Sequence, residues 1–307
     1  MESPLSSQIA EMQKLHGTPA IVYASMINED SVRVLYECLR RWGPRERLDL
    51  VLSTSGGQVT AARQLGLLLR DYANHLTILV PYRARSAGTL LCLCANELVL
   101  GPMAELGPID SHLSVISPAP PDAPGMIAAR DIYTFRQMAE DWFGITREED
   151  RLQVLALLAQ RVFPTTLSSF YRSDRQIRHI ACELLMYQLP DAEEDERRRI
   201  VDQLVGGWYA HDYAISRAEA RDLGLRVRFA SPDEEGPLWE LLLSCRAQLA
   251  EHPGQAENEI VGLIASEDFF ACQRQRWIDA PTWQRTSWQP GSAPPEKVND
   301  VRWEIDT

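Results

Sequence analysis

The chain has 307 residues, a formal net charge of -12 and six cysteines. That length suffices for one large or two ordinary domains with a substantial core, and the acidic balance argues against a nucleic-acid backbone or an anionic membrane surface as the main partner. Cys38, Cys92, Cys94, Cys182, Cys245 and Cys272 form neither a C-x-x-C pair nor a secreted-type framework, and the histidines lack ligand spacing, so buried thiols and no metal site are expected.

Residues 1–13 lack a basic start followed by an apolar run, so no signal peptide is expected and the cytosol is the expected compartment. Residues 19–25 read as a strand, and 29–42 as a helix with apolar Val32, Leu35, Tyr36 and Leu39 on one face. A buried strand at 48–52, an amphipathic helix at 59–72, a strand at 76–81, a short helix at 86–95 and a strand at 97–100 follow. This alternation predicts an α/β fold whose parallel sheet is covered on both faces. The most apolar long window, 87–104, is interrupted by Asn96, Glu97 and Gly101, so no membrane span is expected.

Residues 117–125 are Pro-rich and sustain neither helix nor inner strand. From 128 to 205 the pattern is helical and reads as an insertion, with a charged, solvated stretch at 191–199. Ser216-Arg217-Ala218-Glu219 is a capping box that starts a helix, and Gly224 ends it. A strand at 225–229 and a helix at 237–249 come next. The remainder holds Trp277, Trp283, Trp288 and Trp303 and reads as a tail that packs back onto the core, because exposed tryptophan clusters are costly in water. The chain thus divides into a core carrying the nucleophile (1–116), a Pro-rich loop and helical insertion (117–206), a return to the core (207–252) and a Trp-containing tail (253–307). It contains no internal repeat and no G-x-G-x-x-G dinucleotide fingerprint.

Two short segments carry the chemistry. Arg85-Ser86-Ala87-Gly88-Thr89 lies between a strand-like and a helix-like run, where unsatisfied helix N–H groups favour the negative charge of an acyl-transfer intermediate. Ser86 is therefore the candidate nucleophile. Upstream, Ser53-Thr54-Ser55-Gly56-Gly57 follows a buried strand, and a Gly-Gly there lets backbone approach a substrate and offers N–H groups to an oxyanion or a peptide.

Taken together, Thr54-Ser55-Gly56-Gly57, Val80-Pro81-Tyr82, Ser86-Ala87-Gly88-Thr89-Leu90, Ala95-Asn96-Glu97-Leu98-Val99, Gly101-Pro102 and Leu106-Gly107-Pro108-Ile109-Asp110 resemble the serine dehydrogenase proteinase family. That family shares a superfamily with the Clp protease proteolytic subunit, signal peptide peptidase A and crotonase. The resemblance resumes in the run from His211 to Ala220 and in Leu223-Gly224-Leu225. It implies a crotonase/Clp protease-like core of parallel βα units with a helical insertion, and a serine peptidase acting on polypeptides. It also implies assembly into homo-oligomers and leaves room for a regulatory protein partner. No cofactor is expected, because no nicotinamide or pyridoxal site is visible behind the word dehydrogenase.

In the Clp-type arrangement the positions of Gly57 and Ala87 supply oxyanion N–H groups, and the Gly56-Gly57 strand end receives the substrate backbone. The serine needs a base, since an unassisted hydroxyl is a weak nucleophile. Lysine, used by signal peptide peptidase A, is nearly absent: Lys14 and Lys297 are the only two, and both fall outside the core motifs. Histidine suits the task near neutral pH. One relay has Ser86, His112 and Asp212 in the Clp order. The other, which is favoured, has Ser86 and His211, with Asp110 orienting or modulating; His211 matches the family motif, whereas the Clp-type count from the serine lands on Ser111, beside His112. Two further readings remain open: a Clp-like scaffold without activity, and a crotonase-type acyl-CoA thioester enzyme, against which the serine itself argues.

Overall fold

The computed structural model describes residues 4–109, 112–114, 126–250, 258–279 and 297–306. The first part of the chain runs α1 (Pro4–His16), β1 (Ala20–Ala24), α2 (Glu29–Trp42), β2 (Arg45–Ser53), α3 (Val59–Tyr72), β3 (Ala73–Val80), β4 (Arg83–Ala84), α4 (Ala87–Cys92), β5 (Glu97–Leu100) and β6 (Glu105–Leu106). A small hairpin, β7 (His112–Ser114) and β8 (Met126–Ala128), precedes the helices α5 (Ala129–Phe143), α6 (Glu148–Arg161), α7 (Pro164–Gln188) and α8 (Glu194–Gly206). The chain continues with β9 (Ile215–Ser216), α9 (Arg217–Leu223), β10 (Val227–Phe229), α10 (Pro232–Gln248), β11 (Asn258–Ala265), β12 (Phe270–Asp279) and β13 (Lys297–Asp306).

The fold is mixed α/β around an eight-stranded sheet of order β10-β5-β3-β2-β1-β11-β12-β13. β1, β2, β3, β5 and β10 run parallel, as the alternation of strand and helix requires. Because side chains alternate across a strand, each inner strand feeds two cores. Leu50, Ile78 and Leu98 face Leu35, Leu65, Leu90 and Leu184 on one side. Their neighbours Val51, Leu79 and Val99 face Leu5, Ile9, Leu238 and Leu241 of α1 and α10 on the other.

The helix signals act where they stand. Ser216 and Glu219 form a reciprocal capping box at α9, and Gly224 closes that helix at φ 112°. α10 starts at Pro232 rather than at 237, since Ser231 and Glu234 form a second capping box ahead of it. The expected helical region is present as α5 to α8.

The C-terminal segment is built of strands. β11 pairs antiparallel with the outer edge of β1, and β12 and β13 extend the sheet beyond it. Trp303 on β13 packs against the main core, while Arg274 and Arg276 on the opposite side of β12 pair with Glu304. Trp283 and Trp288 lie outside the described residues. Among the described residues, no helix is long and apolar enough to cross a membrane.

Candidate active site

A second, smaller sheet brings the motif segments to one place. Thr54 bridges Ala84, Ala84 pairs with Leu106, and Leu106 pairs with Ile215. The first three segments run parallel and the last antiparallel. From that row, the chain past Thr54 leads to Gly56 and Gly57, and past Ala84 to Ser86. Past Leu106 it leads to Gly107, Pro108 and Ile109, and backward from Ile215 to Asp212 and His211. All four runs leave the row at the same end.

Ser86 stands at the junction of β4 and α4, with φ 50° and ψ −115°. It is the one non-glycine residue with positive φ among the described residues. Its ψ lies far from the left-handed helical well, so this backbone is strained, and such strain persists only where the surroundings impose it. The side chain is neither fully buried nor fully exposed. A sharp, strained strand-to-helix turn that presents a serine is the geometry of a nucleophile elbow.

The Gly-Gly segment abuts this turn. Gly56 has φ +113°, and a β-carbon on it would lie 3.0 Å from Ser86 Cβ and 2.9 Å from the Arg85 carbonyl. Gly57 has φ +144°, and a β-carbon there would meet the Ile27 carbonyl at 2.1 Å. Ile27 N–H donates to Gly56 O and Gln58 N–H donates to Ile27 O, each at 2.8 Å. In a parallel bridge the residue between those two bonds turns its own N–H and C=O the other way, so the Gly57 amide faces away from Ile27. Gly56 N–H donates to Thr54 Oγ1 at 3.1 Å, and the Gly56 carbonyl accepts from Ile27 N–H.

Two further residues fix the elbow. The buried Thr89 hydroxyl lies 2.7 Å from Ala84 O and 2.8 Å from Gly107 O, and it accepts from Gly107 N–H at 2.9 Å. It thereby ties α4 to the ends of β4 and β6. Arg85 is ion-paired with Glu105 at 2.6 Å, so the arginine before Ser86 is neutralised within the protein. Arg83 lies over the ring of Tyr82.

His211 and Asp212 are exposed in a turn between α8 and β9. Trp208 and Tyr213 stack across that turn, with ring centroids 4.4 Å apart and planes 18° apart. Tyr213 Oη donates to Glu219 Oε1 at 2.6 Å. This bond raises the phenol's pKa and lowers that of the carboxylate, and Glu219 is in turn held by the cap of α9. The turn is therefore anchored at both ends. His112 opens β7, whose residues pair with β8. Asp110 lies outside the described residues, as does the side chain of His112. The stacked pair and the Thr89 tie were not anticipated, although the aromatic residues flanking Tyr209–Asp212 were visible in the sequence.

The sequence resemblance has a direct counterpart. Residues 8–124 match the family described as ClpP-like SDH-type serine proteinase, a span that contains Gly56, Gly57, Ser86, Ala87, Asp110 and His112 and ends before His211. Two uncharacterized proteins of Methanocaldococcus jannaschii align with a longer stretch. One is 28% identical over 228 residues, covering 74% of this chain and 68% of the relative. The other is 24% identical over 220 residues, covering 72% and 65%. The chain thus spans about two thirds of the length of these relatives. Among solved structures, ClpP1 from Listeria monocytogenes aligns at 12% identity and a TM-score of 0.40, over 73% of this chain and 99% of that one. A membrane-bound stomatin-specific protease aligns at 13% identity and a TM-score of 0.41, over 74% and 82%.

Proposed function

We propose that this protein is a serine peptidase that hydrolyses extended polypeptide through Ser86. The observation that carries the reading is the strained backbone of Ser86 seated against Gly56. In the proposed reaction Ser86 Oγ attacks the peptide carbonyl carbon while a histidine takes the hydroxyl proton. The oxyanion is received by the N–H groups of Gly57 and Ala87, one turned away from Ile27 and the other at the first position of α4. The histidine then returns the proton to the leaving amine, and water hydrolyses the acyl-enzyme. The base is His211, carried on the turn across which Trp208 and Tyr213 stack, with Asp110 orienting or modulating it. The competing relay uses His112 and Asp212. An active-site-directed fluorophosphonate should label Ser86, as read by peptide mass mapping. Absence of label under conditions where a known serine peptidase reacts would overturn the reading.

The peptidase acts as an assembly of several copies, joined through the helical insertion. Trp142, Phe143 and Phe163 are 78%, 66% and 69% exposed, and a groove of about 1390 Å³ opens between α5, α6, α7 and α8. Exposed aromatic side chains beside a groove in one helical region support an interface there. Light scattering tests it, and a clean 34.7 kDa monomer at micromolar concentration would refute it.

A further inference from the structure

The sheet face beneath α1 and α10 changes character toward the strand starts. Its upper part is apolar, as a parallel sheet covered by helices should be. Lower down, Arg47 pairs in register with His75, Asp49 with Thr77, and Thr77 with Glu97. Paired residues of parallel strands point to one side, and positions two apart share it, so these residues share a face. Arg228, opposite Val99, shows that β10 contributes to the same face, and Arg226 stands two positions before it.

Part of this charged group is satisfied internally. His16 Nδ1 lies 2.6 Å from Asp49 Oδ2 and its Nε2 lies 3.0 Å from Glu234 Oε1. Arg228 grips Glu234 with two hydrogen bonds of 2.7 and 2.8 Å and reaches Glu97 at 3.4 Å. What remains are Arg47, His75 and Arg226, whose side chains have no hydrogen bond or ion pair with the described residues. They line one depression of about 570 Å³ together with Asn96, Glu97, Leu225 and Val227. The Asn96 carbonyl oxygen accepts from Arg70 and from Leu76 N–H, which leaves its NH₂ to offer.

We infer that this depression binds a small phosphate-bearing anion. Two unpaired guanidiniums, an imidazole and an amide NH₂ supply more donors than the two oxygens of a carboxylate accept, and they suit a phosphate group. The one carboxylate in the lining, Glu97, is already partnered by Arg228. The volume falls within the range of roughly 300–1,000 Å³ for small-molecule sites. Arg47 lies near the start of β2, whereas the Gly-Gly segment follows its end, so roughly 20 Å of strand separates this site from Ser86. The site is therefore distinct from the catalytic one.

Calorimetric titration of the full chain with inorganic pyrophosphate tests the inference. Saturable binding is expected, weakened about tenfold or more by Arg47→Gln and by Arg226→Gln. Arg33→Gln, on the exposed side of α2, should bind as wild type, and so should Ser86→Ala, which separates this outcome from the fate of the peptidase reading. Movement of the His75 ring resonances during titration of the wild-type protein reports the site without relying on variants. No saturable binding at millimolar pyrophosphate, an unmoved His75, or tighter binding of a polyglutamate peptide than of pyrophosphate would each overturn it.

Discussion

Gly56 and Ser86 are in contact through an absent atom: a β-carbon on Gly56 would stand 3.0 Å from Ser86 Cβ, in a backbone conformation that L side chains rarely adopt. Gly56→Ala should therefore cost about 1–3 kcal/mol of stability and displace Ser86, so that, on the proposed function, hydrolysis falls further than folding does. Denaturant melts and peptide hydrolysis measured on one preparation check it. Wild-type activity in the variant would remove Gly56 from the site.

Ser86 itself holds the opposite balance. Relief of its positive φ by Ser86→Gly should raise stability by about 1 kcal/mol while abolishing fluorophosphonate labelling and hydrolysis, since glycine adopts that backbone without strain. Ser86→Ala should be equally inactive without that gain.

If His211 is the base, His211→Ala should reduce activity to the level of Ser86→Ala, and the double variant should be no worse, because members of one relay act as a unit. His112→Ala should then cost little. The reverse pattern establishes the relay with His112 and Asp212, and Asp212→Asn should in that case be severely impaired.

The Thr89 hydroxyl joins α4 to the ends of β4 and β6 in a fully buried setting. Thr89→Val should destabilise the protein by about 1–3 kcal/mol, because it leaves the Gly107 N–H unsatisfied. Thr89→Ser should restore most of the loss, as read by thermal melts.

The cluster under α1 predicts a pH dependence of stability. The hydrogen bond to Asp49 raises the pKa of His16 above 6.5, against the opposing effect of burial. Its stabilising contribution is fully present below pH 6.5 and is lost as pH rises through the raised value. Arg228, followed by the Ser231 cap, lowers Glu234 from 4.5 to about 2, so its contribution is present above pH 4.5 and is lost as pH falls toward 2. The stability difference between wild type and His16→Gln should accordingly be largest between pH 4.5 and 6.5 and shrink in alkaline buffer. Denaturant titrations across that range measure it, and a difference that grows with pH would contradict the assignment.

Much of the core could be read in the sequence because its strands carry apolar residues on both faces and its helices carry capping boxes. The serine turn and the Gly-Gly segment were legible for a related reason, since each needs residue types that local backbone geometry selects. α1 escaped notice although Leu5, Ile9 and Met12 stand at helical spacing, because its outward positions mix polar and apolar residues. β12 and β13 escaped because Arg274, Arg276 and Glu304 interrupt the apolar pattern on their open side, and each finds its partner only across the strand pair. The row Thr54, Ala84, Leu106 and Ile215 was illegible for a different reason: it joins four distant segments through backbone bonds, which leave no mark on side-chain pattern.

The antiparallel pairing of β1 with β11 has a consequence for synthesis. β1 leaves the ribosome long before β11, the strand that satisfies its outer N–H and C=O groups. Until β11 emerges, the nascent chain carries an open, fully apolar edge strand, the kind of template on which neighbouring chains pair wrongly. A truncated message ending before β11 would therefore yield insoluble product, even though every residue proposed for catalysis would already be present.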